Sequence, residues 1–573
     1  MEGHPPIQLP PGSFKFGCAG AAVLLARICR ELRIQQLVNA MVKYDVKQCK
    51  VSPGTLVVAM IINLLVDRKP LYQVMSFYQN YDLATLFTER FDVSALNDDA
   101  LGRMLDRLTE IDRCQLVQSV ALCALRVGEM EVRSVHADTT SITVQGEYNS
   151  IQHDPSANSE EKTLNITQGY SKQHRPDLKQ FGCGLIVSQD GMPVFGDIRD
   201  GNFNDKIWNN ETLTAMEQSF LDLRRVVYVA DSALMTKNNL QLMAEKKVRF
   251  ISRLPNTFAA VAQAKAKAFA KKSKWKYVGP LVGRKDAALY QISSTSQEID
   301  GKTYRLLVVQ SSAHDSRAAK RWERLVAQEK KAISAAIQEL RTKKYACQPD
   351  AETALAEFLV THGTGLHTVT GVVTPSIKVK RPRGRPRKNA VYPTETDYQV
   401  DLELHAPTEE VKQAWLKRES SFVMITNLPE DQWSDIAVLS EYKNQHKVER
   451  NFYMLKHPII SDGIFLKNPS RVESFGYITI LALLVAAFLQ HRVRTNLAKE
   501  DRPLRLALQQ RTTDKPTSVA ILKELNDVSI WHFVTPEGHI LLRGFNGDLS
   551  LETVRLINLA GYDPEICIKP IDT

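Results

Sequence analysis

The stretch Val132–Thr143, Val-Arg-Ser-Val-His-Ala-Asp-Thr-Thr-Ser-Ile-Thr, constrains the fold of this chain more than any other. It is rich in β-branched residues and lacks Gly and Pro, which reads as a strand. Asp138 stands in its middle. A carboxylate there is costly unless something positive meets it. Taken alone, pairing with an arginine accounts for it. The alternative is that other carboxylates converge on Asp138 to hold a metal.

Before this strand the pattern is helical. Gly20–Arg33 and Pro53–Leu65 are apolar segments of helix length, and Ser52 before Pro53 is a helix-start signal. Asn97-Asp98-Asp99 leads a segment with apolar residues at 101, 104, 105 and 108, an N-capped amphipathic helix with Arg103 and Arg107 close by. Such a helix either reads DNA as a helix-turn-helix does or only packs. Residues 1–129 are therefore expected as a helical N-terminal domain, a candidate for binding DNA.

From 130 the pattern becomes strand, hairpin strands, helix, strand, helix, strand, an α/β arrangement with a mixed sheet over 130–256. Gln189-Asp190-Gly191 joins the two hairpin strands. Residues 257–421 do not continue the pattern and are expected as an insertion domain. Within it Lys378-Val-Lys-Arg-Pro-Arg-Gly-Arg-Pro-Arg-Lys388 reads as a solvated linker. A strand at Phe422–Leu428 and helices at Leu439–Leu455 and Pro469–Arg494 return to the core over 422–500. Residues 501–573 form a C-terminal region that could serve dimerisation.

At 573 residues the chain is too long for one ordinary domain. Its net charge of +10 and pI of about 9.0 favour nucleic acid or an anionic surface as partner. The eight cysteines form no CxxC pair and read as reduced thiols of a cytoplasmic protein. No secretory signal is recognisable. Phe475–Leu489 is short for a membrane span and is flanked by charge, so a buried core helix is expected and no membrane partner.

Two further carboxylates stand out. Asp231 ends the apolar strand Val-Val-Tyr-Val-Ala, at the sheet edge where α/β proteins bind ligands; a helix cap is the simpler role there. Glu449 lies in Glu441-Tyr-Lys-Asn-Gln-His-Lys-Val-Glu-Arg-Asn-Phe-Tyr-Met-Leu-Lys456. Steps of three, four and seven residues put Tyr442, Gln445, Glu449 and Lys456 on related turns of one helix.

This spacing resembles the Tyr–Arg–Glu–Lys signature of DDE-type insertion-sequence transposases of the insertion-sequence-four group. Tyr442, Glu449 and Lys456 match it, and Gln445 stands where the signature has Arg. Asp138 in His-Ala-Asp-Thr-Thr-Ser and Asp231 in Val-Ala-Asp-Ser-Ala match the two catalytic aspartates. Gly169-Tyr-Ser-Lys-Gln-His-Arg-Pro-Asp-Leu-Lys-Gln resembles a stretch common in a long-chain branch of the group. The resemblance covers about 130–500.

The resemblance implies a ribonuclease-H-like core interrupted by an insertion domain, with Asp138, Asp231 and Glu449 as catalytic and metal-holding residues. Three carboxylates can hold two Mg²⁺, for which Mn²⁺ can substitute, to cleave transposon ends and join them to target DNA. Tyr442, Gln445 and Lys456 would grip phosphates. Lys172, His174, Arg175 and Lys179 either line the same DNA path or form a solvated basic loop. Arg383, Arg385 and Arg387 around Gly384-Arg385-Pro386 resemble an AT-hook, or else belong to a basic linker. Asp197, Asp200 and Asp205 are expected in turn and cap roles. The implied partner is double-stranded DNA, with a homodimer assembled on it. The competing functions are a catalytically silent DNA-binding regulator and a stand-alone nuclease.

Overall fold

The structure is a computed structural model that describes residues 11–148, 163–172, 175–216, 219–270, 274–283, 287–312, 315–363, 365–380, 391–455 and 466–571. The chain divides into two compact units, one formed by residues 1–252 and 437–573, the other by 253–436.

The first unit opens with strand β1 (Ser13–Cys18). Seven helices follow: α1 (Ala21–Glu31), α2 (Ile34–Met41), α3 (Pro53–Val66), α4 (Val74–Tyr78), α5 (Leu83–Leu86), α6 (Asp98–Leu108) and α7 (Arg113–Val127). The start signals act as expected. Ser52 accepts from the Thr55 amide and Asn97 from the Ala100 amide, each satisfying a donor the helix leaves open. In α6, Leu101, Met104, Leu105 and Leu108 are buried, and Asp106 pairs with Arg471 at 2.6 Å. The apolar face of α6 is thus spent on packing, while Arg103 stays exposed.

The sheet strands of this unit are β2 (Ser134–Val144), β3 (Lys179–Ser188), β4 (Pro193–Arg199), β5 (Val227–Ala230) and β6 (Arg249–Arg253). Helix α8 (Asp205–Ala215) lies between β4 and β5, and α9 (Lys237–Glu245) between β5 and β6. The strands lie in the order β4-β3-β2-β5-β6. β3 runs antiparallel to its two neighbours β4 and β2, whereas β2, β5 and β6 run parallel. The hairpin turn at Gln189-Asp190-Gly191 holds Gly191 at φ 84°, a conformation that favours glycine.

The second unit contains α10 (Ala259–Ala268), β7 (Lys276–Pro280), β8 (Leu289–Ile299), β9 (Lys302–Ser311), α11 (Asp315–Thr342), α12 (Gln348–His362), β10 (Thr368–Val379), β11 (Thr394–His405), α13 (Glu409–Glu419) and β12 (Ser421–Thr426). β12, β9, β8 and β7 are successive antiparallel neighbours. β12 therefore belongs to this unit, not to the returning core, and the unit runs to Ile436 where the sequence suggested 421. The reason is pairing: Phe422 to Ile425 lie opposite Val309 to Leu306. The basic segment also differs from expectation. Lys378 and Val379, expected in the solvated stretch, lie in a strand and pair with Glu395 and Thr394. Arg383, Arg385 and Arg387 themselves lie outside the described residues.

The first unit resumes with the end of α14 (Asp435–Lys443). It continues through α15 (His446–Leu455), α16 (Pro469–Leu497), β13 (Leu504–Leu506), β14 (Arg511–Thr513), α17 (Ser518–Leu525), β15 (Ser529–Val534), β16 (Ile540–Phe545) and α18 (Leu551–Leu559). α16 is long and apolar enough to cross a membrane, yet most of its apolar stretch is buried against α3, α6, α7 and β4. One core runs from Ala19 through α16 to Ile571, and β1 pairs with β15. Residues 1–129 and 501–573, expected as separate regions, are thereby parts of one unit.

Candidate active site

Asp138 and Asp231 are brought together by strand register. β2 and β5 are parallel neighbours in which Ala137 lies opposite Ala230. The next residue on each strand is an aspartate. Asp138 accepts from the Thr139 amide at 2.8 Å, and Asp231 caps the following short turn by accepting from the Ala233 amide at 2.9 Å. The cap role foreseen for Asp231 is thus real and leaves its second oxygen for other work. Burial pushes the Asp138 carboxyl up to about 7, against the attraction of Lys172, and the neighbouring Asp231 and Asp205 push it the same way. Burial also raises Asp231, again with Asp205 adding to the effect.

Asp205, expected in a turn or cap role, belongs to the same cluster. It is the first residue of α8, with Asn204 as the cap. Its Oδ1 accepts from the Thr139 hydroxyl at 2.7 Å, and its Oδ2 meets the Lys172 ammonium at 2.9 Å. In sequence it was indistinguishable from a helix-start acid, because the same Asn-Asp pattern serves both purposes.

Glu449 is placed differently. It is exposed on α15, a helix packed on β2 and β3. Among the described residues no three His, Cys, Asp or Glu side chains gather closely enough to hold a metal by themselves. The helix expected over 439–455 is two helices, broken at Asn444-Gln445, where the Gln445 amide donates to the Tyr442 carbonyl at 3.2 Å. Tyr442 and Glu449 therefore do not share one uninterrupted helix, and Lys456 lies outside the described residues.

The carboxylate that does reach β2 from this region is Glu441. Its Oε1 meets His136 Nε2 at 2.7 Å and accepts from the Ser134 hydroxyl at 2.6 Å. Burial works against its charge, but the hydrogen bonds from His136 and Ser134 outweigh it and hold the carboxyl below its ordinary range. His136 is fully buried and its Nδ1 has no hydrogen-bond partner among the described residues, so Glu441 is the imidazole's anchor. Glu441→Ala should cost about 2–3 kcal/mol in urea unfolding, the loss of hydrogen bonds to a charged acceptor. Exposed Glu449→Ala should change stability by less than about 0.5 kcal/mol. Equal effects for the two would show that Glu441 is no anchor.

The expected DNA-contacting side chains are mostly engaged with protein. Lys172 points at Thr139 and Asp205. Arg175 pairs with Asp177 at the surface. Lys179 donates to the Glu147 and Tyr148 carbonyls. His174 lies outside the described residues. A cationic cluster that sequence reasoning did not single out lies beside α15. Lys447, Arg450 and Arg494 line a cavity of about 80 Å³ with Asp190 as its one acid among the described lining residues. Burial lowers the Lys447 and Arg494 pKa values, and repulsion from Arg450 adds to it.

A family profile described as "Domain of unknown function (DUF4277)" matches residues 21–122, from α1 into α7. No curated protein matches the chain.

Proposed function

We propose that the protein is a DNA strand-transferase of the DDE transposase kind, cleaving transposon ends and joining them to target DNA. The observation that carries this reading is the pair Asp138 and Asp231, consecutive to paired residues on neighbouring parallel strands. Two aspartates on adjacent strands of a mixed sheet, with a helix packed over the first strand, are what a ribonuclease-H-like core requires. The long excursion through residues 253–436 between Asp231 and Glu449 supports the reading of an inserted domain. The cluster Lys447, Arg450 and Arg494 and the overall charge of +10 support an anionic partner.

The donor set fits Mg²⁺ or Mn²⁺. Mg²⁺ is commonly held by one or two carboxylates and completes its shell with water and substrate phosphate. Asp138 and Asp231 would supply those carboxylates, with Glu449 as the proposed third. When bound, the metal ion supplies Lewis-acid activation of the phosphodiester and of its attacking hydroxyl. The chain's own contribution is rigidity: β2 and β5 fix the two carboxylates, and Glu441 fixes α14 to β2 through His136 and Ser134.

The test is a joining assay. The purified protein is incubated with Mg²⁺, a target plasmid and linear DNA carrying the sequences that flank its gene. Nicked ends covalently joined to the plasmid are expected. Cutting without joining would make it a nuclease, and binding without cutting a silent regulator.

A further inference from the structure

Lys172 is fastened within the acidic cluster. Its ammonium has three protons and three acceptors: the Thr139 carbonyl at 2.9 Å, the Thr139 hydroxyl at 2.7 Å and Asp205 Oδ2 at 2.9 Å. The Thr139 hydroxyl in turn donates to Asp205 Oδ1 at 2.7 Å, which closes a ring. The Lys172 amide donates to Ser141 Oγ at 3.0 Å, so the backbone too is tied to β2. Thr139 adjoins Asp138, and its own amide donates to the Asp138 carboxylate. One ammonium is thus fastened beside three carboxylates, Asp138, Asp205 and Asp231.

We propose that Lys172 is a tethered counter-cation that competes with divalent metal ions for the carboxylates around Asp138 and Asp231. The inference rests on the metal-holding role proposed above for that pair. Two positive charges in one acidic cluster repel each other, and the repulsion is strong where water is partly excluded. With the ammonium in place, the cluster is partly neutralised, and Lys172 ties β2 to Asp205 at the start of α8 without metal. A divalent ion must then bind against a charge that is already there. Lys172 is a positioning residue in this account, setting how much metal the site needs, and takes no part in bond making. Its field reaches both aspartates, lowering each carboxyl against the effect of burial.

The test measures thermal unfolding of the full-length protein against MgCl₂ concentration at about pH 8. Wild type, Lys172→Met, Lys172→Gln, Lys172→Arg and Asp138→Asn are compared. Lys172→Met should reach half its metal-induced stabilisation at a Mg²⁺ concentration about tenfold lower than wild type. Lys172→Gln keeps a donor for Thr139 and should shift the same way, which covers the case in which the methionine variant does not fold. Lys172→Arg keeps the charge and should stay near wild type. An unchanged or higher midpoint in both uncharged variants overturns the proposal, since a merely structural tether would weaken metal binding when cut. A fall in DNA affinity at an unchanged Mg²⁺ midpoint also overturns it, assigning the lysine to phosphate. If wild type responds to Mg²⁺ and Asp138→Asn does not, the metal pair stands whatever the lysine variants do. If wild type shows no response at all, the metal pair fails and this inference with it.

Discussion

Asp138→Asn should lower Mg²⁺-dependent nicking of end-bearing DNA by roughly 10³-fold, the scale on which losing one aligned charged group at a reacting centre is felt. DNA binding should stay within about twofold, because the charged neighbours of Asp138 among the described residues are Lys172, Asp231 and Asp205, all of its own cluster. The same substitution should make the protein more stable at alkaline pH. The Asp138 carboxyl is raised from 3.8 to about 7 in the folded protein, with burial the largest cause. For a raised carboxyl, the stability it contributes is fully present below about 3.8 and is lost as pH rises through about 7. The interval corresponds to at most about 4 kcal/mol. An uncharged Asn escapes that loss, so the variant's advantage should be absent near pH 4, grow through neutrality and level off near pH 8. Urea unfolding at several pH values measures it. A variant that loses activity and stability together at pH 8 would show that Asp138 is a structural partner and not a strained functional group. Added Mg²⁺ should stabilise wild type above pH 7 and leave Asp138→Asn unmoved.

Much of this site was legible in the sequence, for a definite reason. Strands announce themselves through β-branched runs, and an aspartate inside such a run has few tolerable explanations. Asp138 and Asp231 could be singled out before any geometry was known, and register then put them side by side. Glu449 was singled out by spacing within a helix, and spacing assumes that the helix is unbroken. The turn at Asn444-Gln445 breaks it, and Lys443-Asn-Gln-His does not foretell that, since it holds no Gly or Pro and its two weaker helix formers, Asn and His, are common inside helices. Glu441, the first residue of the same segment, turned out to make the contacts to β2. A contact between residues 441 and 136 is long-range, and no local pattern encodes it. The same limit hid Lys172. A Lys three residues before an Arg and four before a Pro reads as part of a DNA path or as a solvated basic loop, and only the fold shows that it meets Asp205. The helices α12 and α13 and the hairpin of β10 and β11 were missed because their faces are weakly apolar: the second unit's small core there holds few residues beyond Ile333, Ile337, Phe358 and Val400.

The placement of Asp205 depends on a glycine, and that dependence can be broken. Gly184 on β3 lies opposite Thr139 on β2. A Cβ at Gly184 would stand 2.3 Å from Trp208 Cε2 and Nε1. Trp208 belongs to α8, three residues beyond Asp205, and is buried with its indole nitrogen donating to Asp197 at 2.8 Å. The indole cannot retreat without giving up that bond, so a methyl group at 184 must push α8 off the sheet. Gly184→Ala should therefore cost about 3 kcal/mol or more, the upper range for overpacking a rigid core. Because Asp205 rides on the same helix, the Lys172–Thr139–Asp205 ring should loosen with it. Trp208→Phe shortens the obstructing ring and loses the bond to Asp197, at a cost of about 2 kcal/mol. In the double variant the methyl group meets a smaller ring, so the combined loss should fall short of the sum by at least about 1 kcal/mol. Urea unfolding of the four proteins measures the coupling. Losses that add within about 0.5 kcal/mol would mean that the ring does not limit residue 184, and that α8 is held against β2 by something other than this contact.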